Sequence, residues 1–75
     1  MNWQDYITAD PKVLIGKPVI KGTRLAVEFI LDLMAQGWPE DEIVRNYQVN
    51  REQVRACAAY ARARVIEEKV FSVAA

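Results

Sequence analysis

The chain has 75 residues, equal numbers of acidic and basic side chains, no histidine and one cysteine. This length predicts one small domain, and these counts exclude a disulfide and argue against a structural zinc site. We therefore expect association between copies of the chain, most simply a homodimer, to add to a small core. With no basic leader and no apolar run of about 18 residues, we expect a cytoplasmic protein without a membrane partner.

The composition also argues against catalysis. Without histidine the chain lacks the usual general base and any Ser-His or Cys-His nucleophile. Gly16 and Gly22 do not have the spacing of a phosphate-binding loop. Cys57 falls on an apolar helical stripe, which is typical of a core residue. We expect no enzyme, no cofactor and no metal site.

The N-terminal third predicts a small β element, residues 1–25. Residues 1–12 are interpreted as an extended arm, and residues 13–15 and 18–20 as two short β-type segments. Gly22 suits a tight reversal because glycine takes positive φ at little cost. Residues 23–27 fit either a returning strand or the start of the first helix, and the pattern leaves both open.

Three helices are predicted over residues 26–69, followed by a tail, 70–75. The first covers residues 26–36 and ends at Gly37, and the second covers residues 39–47, with Pro39 at its first position. The third has the clearest start: Asn50 is a predicted N-cap and Gln53 its capping-box partner, and the helix runs to about residue 68.

The last two helices have the proportions of a helix-turn-helix. Residues 43–64 carry a net charge of +4, and the candidate DNA-binding residues are four of the five arginines of this region: Arg45, Arg51, Arg55 and Arg62. Arg51, Arg55 and Arg62 fall on one line of the third helix, from which guanidinium groups reach phosphates or guanine edges. Alternatively, these arginines only keep an exposed helix face soluble.

Three motifs resemble one bacterial and archaeal family, named domain of unknown function 433. They are residues 7–11 (ITADP), residues 16–24 (GKPVIKGTR) and Gly37 with Glu42-Ile43. The resemblance implies a mainly α fold: a homeodomain-like three-helix bundle with a helix-turn-helix, preceded by a short N-terminal β element. The family often has Gly-Gly before Lys-Pro where this chain has Ile15-Gly16. It often has proline where this chain has Ala26.

Some members of that family resemble VapB-type antitoxins, which bind a toxin with a PIN-like ribonuclease domain and repress their own operon as dimers. The resemblance therefore implies an antitoxin-type regulator that binds operator DNA through the third helix and a toxin protein elsewhere. The alternative is a protein-interaction module that neutralises a partner without binding DNA. The near-neutral net charge favours this alternative, because dedicated DNA-binding domains are often basic.

Overall fold

The fold is a small helical bundle preceded by a two-stranded antiparallel sheet, as predicted. The computed structural model describes residues 1–68. Two short 3-10 turns interrupt the N-terminal region, one before each strand. The elements are a 3-10 turn at Trp3–Asp5, β1 at Ile7–Ala9, a 3-10 turn at Leu14–Gly16, β2 at Pro18–Ile20, α1 at Val27–Ala35, α2 at Glu40–Tyr47 and α3 at Arg51–Glu67.

The sheet pairs β1 with β2, and Ile7 lies opposite Ile20, with Ala9 opposite Pro18. Next to the sheet, the Lys21 amide donates to the Tyr6 carbonyl at 2.8 Å. Because hydrogen-bonded and non-hydrogen-bonded pairs alternate in an antiparallel ladder, the Ala9–Pro18 pair is of the second kind. Pro18 therefore begins β2 at a position where its missing N–H costs the ladder nothing.

The prediction of a β-type segment at residues 13–15 is wrong. Leu14 and Ile15 have left-handed φ values of 48° and 57°, and Gly16 follows at 79°. Successive turns reverse the chain here: the Val13 amide donates to the Asp10 carbonyl and the Gly16 amide donates to the Val13 carbonyl. The strand that pairs with β2 lies instead inside the predicted arm, at Ile7–Ala9, and the eight residues 10–17 connect the two strands.

At residues 23–27, where the pattern left a returning strand and a helix start open, the structure has a short extended return at Leu25 and Ala26, and the helix begins at Val27. Ala26 makes a single bridge with Val19 and then acts as the N-cap of α1. Its φ of −70° is one that proline adopts readily. Gly22 has the positive φ that the preceding turn requires, 78°. The β element therefore ends in a bridge, and α1 follows directly.

The helix ends follow the predicted caps closely. Gly37 has a φ of 92° and its amide donates to the Met34 carbonyl, while the Trp38 amide donates to the Leu33 carbonyl. This pair of bonds is the Schellman arrangement that ends many helices. Pro39 is the N-cap of α2, one residue before its predicted place at the first helical position.

The core lies where the sheet and the three helices meet. Ile20, Ile30 and Ile43 come from β2, α1 and α2 and are fully buried, and α3 contributes Val54 and Cys57. Each element therefore buries one face against the others. The apolar stripe of α3 that contains Cys57 ends before Val65, which is 61% exposed.

Candidate functional site

The α2–α3 unit has the form of a helix-turn-helix. Gln48 ends α2 in the left-handed region at a φ of 56°. Asn50 then caps α3: its Oδ1 accepts from the Gln53 amide at 2.7 Å, and the Gln53 Oε1 accepts from the Asn50 amide at 2.8 Å. The predicted capping box is confirmed. It fixes the first turn of α3 and, with it, the direction in which Arg51 and Arg55 leave the helix.

Three of the four candidate arginines make ion pairs with the first turn of α2. Arg45 lies 2.9 Å from Glu42, Arg51 lies 2.5 Å from Asp41, and Arg55 Nε lies 3.8 Å from Glu40 Oε1. The fourth, Arg62, is exposed and has no ion pair within residues 1–68.

The Arg55–Glu40 pair is partly buried, because Glu40 Oε1 is buried and has no hydrogen-bond partner within residues 1–68. The Arg45–Glu42 and Arg51–Asp41 pairs are exposed on both sides. Exposed pairs contribute about 0–1 kcal/mol each, so Arg45 and Arg51 can exchange partners. The carboxylates stay in place, however, because the N-terminus of a helix favours negative charge. An approaching phosphate would therefore meet acidic groups beside the arginines.

Sequence reasoning missed this compensation of charge. It counted residues 43–64 as a basic segment, whereas the fold lays the three acidic residues just before that segment against the arginines. The Glu42–Arg45 pair is three residues apart on one helix and was open to prediction. The Asp41–Arg51 pair depends on how α2 docks on α3, which no local pattern shows.

A second surface, which the sequence did not indicate, lies on the side of α3 near the sheet. Two adjoining cavities of about 220 Å³ and 440 Å³ share Pro18, Tyr60 and Arg64, and we call them together the Pro18–Tyr60 groove. The other lining residues are Trp3, Ile7, Thr8, Ala9 and Glu67 in the first cavity, and Lys17, Val27, Glu28, Leu31 and Glu68 in the second.

The groove has an apolar floor and a charged rim. Trp3 and Tyr60 make an edge-to-face contact with ring centroids 5.0 Å apart, which holds both rings in place. On the rim, Arg64 lies 3.2 Å from Glu67 and Lys17 lies 2.7 Å from Glu28. An apolar floor with a few polar groups around it is the ordinary form of a binding groove.

The outer edge of β1 runs beside this groove. Tyr6–Lys21 is a hydrogen-bonded pair, and such pairs alternate along an antiparallel ladder. The backbone N–H and C=O groups of Thr8 therefore point towards β2, and those of Ile7 and Ala9 point away from the sheet. Within residues 1–68, these outward N–H and C=O groups have no hydrogen-bond partner. A free strand edge of this kind accepts another extended segment.

Cys57 is a core residue, as predicted from its place in the apolar stripe. Its side chain is fully buried, and desolvation raises the pKa of the thiol to about 11. A neutral buried thiol is a poor nucleophile. Residues 1–68 contain no cluster of three or more potential metal-ligating His, Cys, Asp or Glu side chains. They also contain no helix with the length and apolar character needed to cross a membrane.

The fold defines a broad class, small helical bundles preceded by a two-stranded antiparallel sheet. The chain belongs to the family described as Protein of unknown function (DUF433), whose profile matches residues 7–61. This confirms the resemblance seen in the three motifs. No curated protein and no solved structure matches the chain. The match includes both strands and most of α3, whereas Trp3 and Arg62 lie outside it.

Proposed function

We propose that this chain is an antitoxin-type protein-binding module that holds a partner protein in the Pro18–Tyr60 groove. The observation that carries the proposal is this groove beside the free edge of β1. By the family resemblance, the partner is a toxin with a PIN-like ribonuclease domain, and the module acts as a homodimer.

The groove and the strand edge together suit one mode of recognition. An extended peptide that joins a free sheet edge gains main-chain hydrogen bonds, and its alternate side chains enter neighbouring pockets. Here the outward groups of Ile7 and Ala9 supply the hydrogen bonds, and Trp3, Pro18 and Tyr60 supply the pocket. The partner segment is therefore extended, with an aliphatic or aromatic residue at every second position.

DNA binding is the second candidate, and the exposed arginines on the outer face of α3 favour it. It ranks second because Glu40, Asp41 and Glu42 accompany those arginines. In a helix-turn-helix the helix before the recognition helix crosses the DNA backbone, where three carboxylates repel phosphates. Operator binding through Arg45, Arg51, Arg55 and Arg62 stays a prediction.

The test of partner binding uses the product of the neighbouring gene, co-expressed with this chain, and two variants at the edge of β1. Ala9→Pro removes an outward N–H without breaking a bond to β2, whereas Ala9→Val keeps that N–H and is the matched control. We expect Ala9→Pro to weaken complex formation at least tenfold in calorimetry and Ala9→Val to leave it nearly unchanged. Equal binding by both variants, or no complex with the parent chain, overturns the proposal.

A separate test addresses DNA. If α3 binds an operator, the double substitution Arg51→Ala with Arg55→Ala weakens binding, and Asp41→Asn strengthens it because a carboxylate leaves the interface. Affinity then falls steeply with salt, with a log–log slope close to one per phosphate contact. Our proposal expects no sequence-specific binding to the DNA upstream of the gene by the parent chain. A specific, salt-dependent complex that responds to both variants makes DNA binding the leading function.

A further inference from the structure

The connection between the two strands carries an exposed apolar tip, formed by Leu14 and Ile15. Both residues have left-handed φ values, 48° and 57°, and the Ile15 side chain is 94% exposed. A left-handed backbone disfavours side chains with a Cβ, β-branched ones most of all. Strained backbone of this kind is concentrated at binding sites. The tip therefore holds an apolar side chain in water at a cost that packing within the chain does not explain.

A hollow of about 350 Å³ lies directly beside this tip. Leu14, Ile15 and Ala26 form its apolar part, and Lys17 and Glu28 form its charged part. Lys17 Nζ lies 2.7 Å from Glu28 Oε1, and both side chains are more than half exposed. Since a cavity of about 150 Å³ holds a benzene molecule, the hollow has room for an isoleucine side chain. A projecting apolar group and a space that accepts it thus lie side by side on one surface.

We propose that a second copy of this chain docks on this surface, with the Ile15 side chain of each copy in the hollow of the other. A two-fold axis sets the same patch of two copies against itself, so the patch must be complementary to itself. A projecting side chain next to a hollow meets that condition. The charges meet it as well, because the rotation brings Lys17 of each copy to Glu28 of the other.

This contact names the surface of the proposed homodimer, and it rests on that part of the proposed function. The hollow shares no lining residue with the first cavity of the Pro18–Tyr60 groove, and it shares Lys17 and Glu28 with the second. A second copy at the tip therefore leaves the outer edge of β1 open to a partner strand. An interface centred on one loop buries less than about 1,200 Å² in total, the range of weak complexes, so we expect a dimer of micromolar affinity.

Sedimentation of variants at position 15 tests the contact. We expect Ile15→Gly to weaken dimerisation at least tenfold, although at concentrations where the chain is monomeric it resists urea better than the parent, because the strain is relieved. Ile15→Val keeps an apolar β-branched side chain and is the matched control, with dimerisation close to that of the parent. Dimerisation of Ile15→Gly equal to that of the parent overturns the proposal and leaves the homodimer to another surface. A parent chain that stays monomeric at every concentration overturns both the contact and the homodimer.

An exchange of charges tests the two-fold pairing independently. Lys17→Glu and Glu28→Lys each place like charges at both contacts, so we expect each variant alone to dimerise several-fold more weakly than the parent. A mixture of the two variants places opposite charges at both contacts, and mixed dimers should then predominate. With one variant labelled with nitrogen-15, native mass spectrometry counts the mixed dimers. Lys21→Glu mixed with Glu52→Lys is the matched control, because neither residue lines the hollow. Mixed dimers no more frequent than in this control contradict the proposal.

Discussion

The loop between the two strands contains an uncommon backbone conformation at Ile15. Its φ of 57° is left-handed, and its side chain is 94% exposed, so packing does not compensate the strain. A left-handed residue other than glycine costs about 1–2 kcal/mol, and a β-branched side chain is among the least suited to it. The strain at Ile15 therefore lowers the stability of the folded chain.

We expect Ile15→Gly to raise the free energy of unfolding by about 1 kcal/mol. Relief of the left-handed strain exceeds the entropy that glycine loses on folding, about 0.5–1 kcal/mol. Urea unfolding followed by circular dichroism measures the change. The control is Lys12→Gly, at an exposed position nearby with an ordinary φ, and this variant should be less stable than the parent. A loss of stability in both variants would contradict strain at Ile15.

The thiol of Cys57 makes stability depend on pH. Burial raises its pKa from about 9.0 to about 11, so above pH 9 the unfolded chain releases this proton more readily than the folded chain does. The contribution of the neutral Cys57 thiol to the free energy of unfolding is therefore complete below about pH 9, and it is lost as the pH rises towards 11.

Cys57→Ala provides the comparison, because it removes this titration and leaves the lysines and tyrosines in place. We expect unfolding free energies of the parent to fall more steeply between pH 9 and 11 than those of Cys57→Ala. At pH 8 the folded thiol should react with Ellman's reagent only as fast as the chain opens. Fast labelling in the folded state, or parallel pH profiles, would show that the thiol is accessible.

At the scale of elements, the capping box is the strongest local determinant of α3. We expect Asn50→Ala to lower the free energy of unfolding by about 1 kcal/mol, because the Gln53 amide loses its acceptor. Asn50→Ser retains a side-chain acceptor and should cost only a few tenths of that amount. Thermal unfolding measures both variants. Equal losses would mean that the cap hydrogen bond contributes little to α3.

The same elements show which parts of the structure can be predicted from sequence. Asn50 and Gly37 mark their helix ends correctly because caps depend on neighbouring residues alone. The partner of β2 was misplaced because strands of three residues carry little pattern and their pairing depends on the loop between them. The Pro18–Tyr60 groove was missed for a related reason: the fold brings together residues far apart in sequence, and no spacing predicts that.

At the scale of the whole molecule, several apolar side chains remain exposed on the surface of the folded chain. Among residues 1–68, Val65 and Ile66 near the end of α3 are about 60% exposed, and Phe29 and Met34 of α1 are partly exposed. A chain of this size buries only about 60% of its extended surface on folding, which makes a lone monomer marginal. Burial of exposed apolar groups between two copies would add the missing stabilisation.

We therefore expect the chain to form a homodimer, with a midpoint of thermal unfolding that rises with protein concentration. Sedimentation equilibrium should show twice the chain mass, and Val65→Gln combined with Ile66→Gln should weaken the association if α3 contributes its end to the contact. Glu52→Gln, a polar change at the other end of α3, is the control and should leave the mass unchanged. A single-chain mass at every concentration, with a constant midpoint, would mean that the small core suffices and that partner binding takes place on a monomer.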